Sequence, residues 1–298
     1  MEGVMSPLFC ATAAALDLLP EMITPFLRIS QDIPRIGKIR KWLKPLIIQG
    51  KPLTVQLMGD SPENLLKAAK LLRAEGVASF NLNFACPSGQ VIRSGAGGAL
   101  LKNTGQMRRI ASVIRESMPD TALSVKLRIG FLSPAEYSDI AAAFEGLNLN
   151  FMAVHFRTVS EGYRKITDGL DRIRNAVLKS PAPVIGNGDI MTVADAQLML
   201  KETGCAGVMC ARGLLRDPFL LRRLKEQEAP AAEVGRRIFY RNALEIAESA
   251  PEKYWSRPQL IELARFIWGV SSPEFQRIIK LHEFSVETVR KACVNLPD

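Results

Sequence analysis

The sequence predicts an α/β fold: a parallel β-barrel wrapped by helices and followed by a helical bundle. Three observations predict it. Short apolar runs alternate with longer stretches of helical periodicity from Met22 to Cys210. The short runs are near-continuously apolar, as strands of a sheet buried on both faces are. After Leu224 the strand-like runs stop and only helical periodicity remains.

In chain order the strand-like segments are 22–29, 53–59, 79–85, 123–130, 151–157, 183–186 and 207–210. Strand–helix alternation of this length implies parallel strands joined by helical crossovers. These seven strands are one short of a TIM-type (β/α)8 barrel. The opening MEGV reads as the turn after a strand, so the missing strand is expected upstream of Met1; a doubly wound open sheet is the structural alternative. Among the helices, 62–76 has Ser61 as N-cap, Pro62 at its first position and Gly76 as its stop. Similar stretches are 104–117, 134–146 and 192–203, the last opened by Thr192 or Met191. Residues 225–233 read as a linker, and 234–248, 257–269, 273–281 and 285–294 as helices. The expected organisation is a barrel over 1–225 and a helical domain over 234–298.

Composition narrows the function classes. The chain has 298 residues, 47% hydrophobic and 23% charged, enough for a large core. No run of about 18 apolar residues is present, so no membrane span is expected, and the start lacks a signal-peptide layout. Five scattered cysteines with no CxxC pair, and only two histidines, argue against a disulfide scaffold and a structural zinc site. A reduced cytoplasmic protein without a metal is expected. The formal net charge is +9. From Gln227 onward ten basic residues meet ten acidic ones, so the excess lies before it. Its densest part is 28–45, with six Lys/Arg and one acid. Such a chain suits a polyanion such as RNA; a solvated basic loop is the plain alternative.

Parallel barrels carry their sites at the C-terminal ends of the strands. There the sequence places Gln56, Asn83, Cys86, Lys126, Arg128, His155, Arg157, the triplet Asn187-Gly188-Asp189, and Arg212-Gly213. This set has neither a carboxylate pair for glycoside chemistry nor a Ser/His/Asp set for acyl transfer. It suits a planar, electron-accepting cofactor with a phosphate tail. Gln56 could bond a pyrimidine edge and Lys126 could stabilise negative charge on a reduced ring. Gly188 and Gly213 sit on the last two strand ends, where barrels hold phosphate on backbone N–H groups, and Arg212 adds charge. Cys86 sits between a strand and a glycine-rich segment, 94–101, which could close over a substrate. Cys10, Cys205, Cys210 and Cys293 read as packing residues.

Taken in order, VQLMG at 55–59, NLNFACPS at 81–88, SGAGGALL at 94–101, VKLRIG at 125–130, VHFRT at 154–158 with Tyr163, NGDI at 187–190 and ARGLLRDP at 211–218, together with MEGV at 1–4, resemble the flavin-dependent tRNA dihydrouridine synthases of bacterial type. The resemblance implies FMN in the barrel, NADPH as reductant, and a tRNA uridine flipped onto the flavin. Hydride would pass to uracil C6 and Cys86 would give a proton to C5. A free thiol, with a pKa near ~8.5, keeps its proton at neutral pH and can serve as an acid. The resemblance assigns the cofactor to Met1, Gln56, Lys126, His155, Asn187, Gly188, Asp189, Ala211, Arg212 and Gly213. It assigns the substrate to Asn83, Arg128, Arg157 and Tyr163. The C-terminal helices would contact tRNA. The chain departs from the usual pattern at Ser6, Cys10, Asn81, Phe156 and Ala211; the family usually has an acid at the Asn81 position and glycine at the Phe156 and Ala211 positions. Two rival readings are a small-molecule flavin reductase on the same barrel and a non-catalytic RNA-binding relative. No oligomeric state follows from the sequence.

Overall fold

A computed structural model describes residues 6–18, 21–30, 35–43, 53–249, 257–283 and 285–293. Met1 and the MEGV stretch lie outside these residues, as does the side chain of Cys293.

Eight strands form one all-parallel sheet: β1 (Met22–Ile23), β2 (Leu27–Arg28), β3 (Leu53–Met58), β4 (Ser79–Asn83), β5 (Ala122–Arg128), β6 (Met152–His155), β7 (Val184–Asn187) and β8 (Gly207–Met209). Pairing runs β1-β3-β4-β5-β6-β7-β8, and β2 also pairs with β3. The sequence suggests one strand over 22–29, whereas the structure shows two short ones. Pro25 lies between them and has no N–H to give the ladder. Thr24 bridges the break, its hydroxyl accepting from Gln56 N–H at 3.1 Å. β1 pairs at Leu53 and β2 at Leu57, on the same edge of β3, so the eight strands occupy seven positions. Among the described residues β8 does not pair with β1, which leaves a TIM-type half-barrel open at that seam.

Helices cover the outside. They are α1 (Pro7–Ala15), α2 (Ile36–Leu43), α3 (Pro62–Ala74), α4 (Gly89–Arg93), α5 (Thr104–Ser117), α6 (Tyr137–Ala142), α7 (Gly169–Lys179) and α8 (Val193–Thr203). Local chemistry sets their ends. Ser61 caps α3 by accepting from Asn64 N–H at 3.2 Å. Thr192, not Met191, opens α8 through a reciprocal box with Asp195, and Gly204 closes it at φ 68°. The helix suggested over 134–146 is shorter: a 3-10 turn over Pro134–Glu136 precedes α6, because Glu136 reaches back to the loop before it. Four of these helices, α1, α2, α4 and α7, match none of the stretches that the periodicity suggests. In α1 nearly every residue is apolar, so no stripe stands out; α4 is only five residues long; α7 does carry an apolar stripe, Leu170, Ile173, Ala176 and Val177, which the sequence reading passed over. The densest basic segment contains α2, whose Ile39 and Leu43 lie in the barrel core.

After β8 come α9 (Arg212–Arg216), α10 (Leu220–Leu224), α11 (Ala232–Ser249), α12 (Arg257–Trp268), α13 (Pro273–Ile279) and α14 (Val286–Cys293). Two large apolar clusters result. One fills the barrel and the space between sheet and helices. The other joins α11, α12 and α13 to α9, α10 and α1. Phe9 of α1 meets Phe239 of α11 with ring centroids 5.1 Å apart. The C-terminal helices are thus seated on the chain's first helix as well as on the segment after β8. No helix among the described residues is long and apolar enough to cross a membrane.

Candidate active site

Strand register builds the site. Side chains two apart on a strand share a face, so Asn81 and Asn83 point the same way from β4. Gln56 pairs laterally with Asn81, and Asn81 with Ser124; one step higher Asn83 pairs with Lys126. Higher still, Arg128 pairs with His155 and His155 with Asn187.

The lower rows form a buried relay of amides. Asn83 Nδ2 donates to Gln56 Oε1 at 2.8 Å, and Gln56 Nε2 donates to Asn81 Oδ1 at 2.7 Å. Asn81 Nδ2 then donates to Ser124 Oγ at 2.8 Å. Asn83 Oδ1 also accepts from the N–H groups of Ala85 at 2.9 Å and Cys86 at 3.1 Å. This relay orients Gln56 and pins the backbone of Cys86. Asn81 works here as a neutral member of the chain of amides. Sequence reasoning passed over Asn81 and Ser124 as functional residues, although the two-residue period already puts Asn81 on the face of Asn83.

Cys86 is half-buried and packs beside Met58, Val91, Ala96 and Phe26. The glycine-rich segment does not extend as an open loop. Its end forms a 3-10 helix over Gly97–Lys102, and Gly98 N–H donates to the Cys86 carbonyl at 3.0 Å. A Cβ on Gly97, which has φ +56°, would lie 2.8 Å from Val91 and 3.1 Å from Cys86 Cβ. These glycines serve close packing around the thiol.

Lys126 keeps part of its surface accessible, and among the described residues no carboxylate or carbonyl pairs with its ammonium. Burial, and then the charge of Arg128, push its pKa down to about 8; the charge of Cys86 acts the other way. The thiol and this ammonium therefore lie within electrostatic reach. His155 is buried. Its Nδ1 accepts from Arg157 N–H at 3.1 Å, which leaves the proton on Nε2. Burial and the charges of Lys126, Arg128, Arg157 and Arg212 push its pKa down to about 2, so it is a neutral donor at any physiological pH.

The arginines hold the protein's own loops. Arg128 is only 2% exposed. Its Nε donates to the Ala85 carbonyl at 2.9 Å, and one terminal nitrogen donates to the carbonyls of Thr158 at 2.8 Å and Gly162 at 2.9 Å. Arg157 donates to both carboxylate oxygens of Asp189, at 2.9 and 2.5 Å, and to the Arg164 carbonyl at 2.5 Å. Arg212 reaches the same carboxylate at 2.7 Å. The expected substrate contacts of Arg128 and Arg157 thus coexist with extensive contacts inside the protein. Tyr163 stands between Arg128 and Arg212, whose guanidinium carbons lie 5.5 and 5.4 Å from its ring centre. Two residues that sequence reasoning did not single out, Glu161 and Arg172, brace this loop: Arg172 bonds both oxygens of Glu161 and the Phe156 carbonyl.

The last two strand ends approach closely. Asn187 Nδ2 donates to the Met209 carbonyl at 2.7 Å. Gly188 has φ +139°, and a Cβ there would meet the Phe156 ring at 2.5 Å. A Cβ on Gly213 would meet the Ile190 carbonyl at 2.3 Å. Ala211 is the N-cap of α9. Phe156 itself fits a slot made by Gly169 and Gly188, so bulk at 156 is matched by its absence at two distant positions.

The densest basic segment divides in the structure. Arg28 donates to Ser94 Oγ at 3.0 Å on the strand-end rim. Arg40 pairs with Glu75 through two bonds, at 2.8 and 2.9 Å, on the outer wall. Residues 31–34, 44 and 45 lie outside the described residues. Among the described residues no group of three or more His, Cys, Asp or Glu could hold a metal.

The donor set suits a flavin on chemical grounds. The Gln56 amide on β3, the Lys126 ammonium on β5 and the neutral His155 imidazole N–H on β6 are borne by one sheet, and among the described residues no carboxylate pairs with the ammonium. Two arginines around one carboxylate leave net positive charge at Asp189, next in the chain to Gly188, and at Arg212, next to Gly213.

Comparison with known proteins places the chain in a family. A family model described as dihydrouridine synthase matches residues 16–260. A tRNA-dihydrouridine(16) synthase of Cupriavidus necator is 37% identical over 179 residues, 59% of this chain and 55% of that protein. One of Vibrio vulnificus is 32% identical over 235 residues, 74% of this chain and 71% of that protein. The match thus spans little more than half the length of the first relative. Among solved structures, histamine dehydrogenase from Rhizobium sp. 4-9 superposes with a TM-score of 0.58 at 15% identity, over 82% of this chain and 47% of that one. Morphinone reductase in complex with tetrahydroNAD gives 0.53 at 12% identity, over 78% and 88%. At such identities they share the fold alone.

Proposed function

This chain belongs to the dihydrouridine synthase family, and we propose that it reduces the C5–C6 double bond of a uridine in tRNA, with FMN as bound cofactor and NADPH as reductant. The observation that carries the reading is the seating of Cys86. Its backbone is fixed by Asn83, its surroundings are shaped by Gly97, and Lys126 lies within electrostatic reach on the next strand. The relatives' name specifies position 16, and we assign the same uridine here.

Gln56, Lys126 and His155 would hold the ring of the cofactor, with Asn187, Gly188, Ala211, Arg212 and Gly213 around its phosphate. Asp189 would act by holding Arg157 and Arg212 in place. When bound and reduced, the cofactor supplies the hydride that uracil C6 accepts. Cys86 delivers a proton to C5 from the opposite face, and the resulting thiolate is stabilised by Lys126 and Arg128 until solvent returns a proton. Asn83 and Tyr163 face the base, while Arg128 and Arg157 fix the loops around it. In this reading 1–225 is the cofactor barrel and 234–298 a tRNA-contacting helical domain seated on α1, α9 and α10. The working compartment is the cytoplasm.

The test is direct. Purified chain should show flavin absorbance and, with NADPH, should place dihydrouridine at position 16 of an unmodified tRNA transcript, detected by mass spectrometry. A flavin-bearing chain that oxidises NADPH but leaves the tRNA unchanged would favour the small-molecule reductase. A colourless chain that binds tRNA would favour the non-catalytic relative.

A further inference from the structure

We propose that the loops after β5 and β6 form a rigid lip that docks the RNA next to the extruded uridine, with Leu132 pressed against the flanking nucleobase. The inference rests on the tRNA reading above. Leu132 is 68% exposed and Tyr163 59% exposed. They follow adjacent strands, paired at Arg128 and His155, so both lie on the rim of the mouth. A lone exposed leucine is ordinary, but this one is held out by a built support. The Glu136 carboxylate accepts from the N–H groups of Phe131 at 2.6 Å, Leu132 at 3.1 Å and Ser133 at 3.0 Å. Ser160, on the next loop, donates its N–H to the Phe131 carbonyl at 2.9 Å. Lys102 Nζ sits 3.8 Å from the centre of the Phe131 ring. The apolar tip is thus fixed before any ligand arrives, which lowers the entropy cost of docking.

Charge identifies the occupant. Exposed Lys102 stacks on Phe131, exposed Arg164 donates to the Ser160 carbonyl, and exposed Lys165 follows it in the chain. The two carboxylates closest in sequence are engaged, Glu136 with backbone N–H groups and Glu161 with Arg172. An apolar tip with cations on the residues beside it fits a nucleobase between phosphates. Extruding a base leaves one face of its neighbour without a stacking partner, at a cost of a few kcal/mol. An apolar side chain covering that face offsets part of the cost, as wedge residues do in other nucleic-acid complexes.

The test uses the full chain with an unmodified tRNA transcript. Leu132→Glu and Leu132→Ala are compared with wild type by filter binding across salt concentrations and by single-turnover dihydrouridine formation. The expected result is binding weakened about tenfold by Leu132→Glu, or ~1.4 kcal/mol, with a smaller loss for Leu132→Ala. The slope against salt should stay unchanged for Leu132→Ala, because neither a charge nor a phosphate contact is altered. Leu132→Ala trims a side chain that is mostly exposed, so it keeps the test readable if glutamate disturbs the loop. Wild-type binding and turnover in both variants would overturn the inference and leave the proposed reaction standing. A wild-type chain that neither binds nor reduces tRNA would overturn the reaction itself.

Discussion

Arg157, buried at the end of β6, clasps Asp189 beyond β7 through two parallel hydrogen bonds of 2.9 and 2.5 Å. Asp189 takes a left-handed φ of 47° to present both oxygens, and Arg212 shares one of them. A guanidinium this enclosed needs its partner, since an unpaired buried charge is costly.

Asp189→Asn should therefore destabilise the chain at pH 7. Hydrogen bonding from Arg157, and then its charge and that of Arg212, hold the Asp189 carboxyl below the usual carboxylate range. A depressed acid stabilises above its unfolded pKa, ~3.9, and loses that contribution as pH falls through the folded value. The carboxylate is partly exposed, so the expected loss is modest, about 1–2 kcal/mol. Urea unfolding should show this difference at pH 7 and a narrower one near pH 3. Equal stability at pH 7 would remove the pair from the energetics.

Lys126 makes the opposite case. Its folded pKa, about 8, lies below the unfolded ~10.4. Its penalty on folding is full below pH 8 and is relieved as pH rises toward ~10.4. Lys126→Met should raise stability at pH 7 by about 1 kcal/mol, discounted for partial exposure, while weakening FMN binding about tenfold. Thermal melting and fluorescence titration with FMN read the two effects separately. Unchanged FMN affinity would count against the assigned contact.

Cys86→Ala should leave flavin bound and slow dihydrouridine formation by about 10²–10⁴, the range for loss of a positioned acid. Single-turnover reduction of the tRNA transcript measures it. Full activity in the variant would remove the thiol from the mechanism.

Gly188→Ala should be damaging, by about 2–4 kcal/mol, because it combines a left-handed φ with a Cβ 2.5 Å from the Phe156 ring. Phe156→Ala made with it should recover the steric part and leave the backbone part. Denaturant unfolding of the two single variants and the double variant gives the coupling. Additive losses would show that the ring is not the obstacle.

Much of the fold was legible because its signals are local. Ser61 and Thr192 announced their helices through side chains that reach N–H groups three residues on, and the strand segments stood out as apolar runs. Pro25 showed its effect only in the split of β1 from β2, since a missing N–H matters only once a ladder partner exists. The residues at the strand ends were also legible: Gln56, Asn83, Cys86, Lys126 and His155 meet at one mouth. Their partners were not. Nothing near Arg128 in the chain says that its guanidinium binds the carbonyl of Ala85, 43 residues away.

Local pattern thus established the alternation of strand and helix, the caps, and the ring of chemistry-bearing residues at the strand tips. Tertiary structure alone decided which of those residues stay open to a ligand and which are spent inside the protein. Among the described residues Lys126 has no carboxylate or carbonyl partner, whereas Arg128 and Arg157 are enclosed by loops from neighbouring strands. The reason is physical: a helix or strand is chosen by interactions among near neighbours, but a charged group's partner depends on which distant strand ends the closing sheet brings within hydrogen-bonding reach.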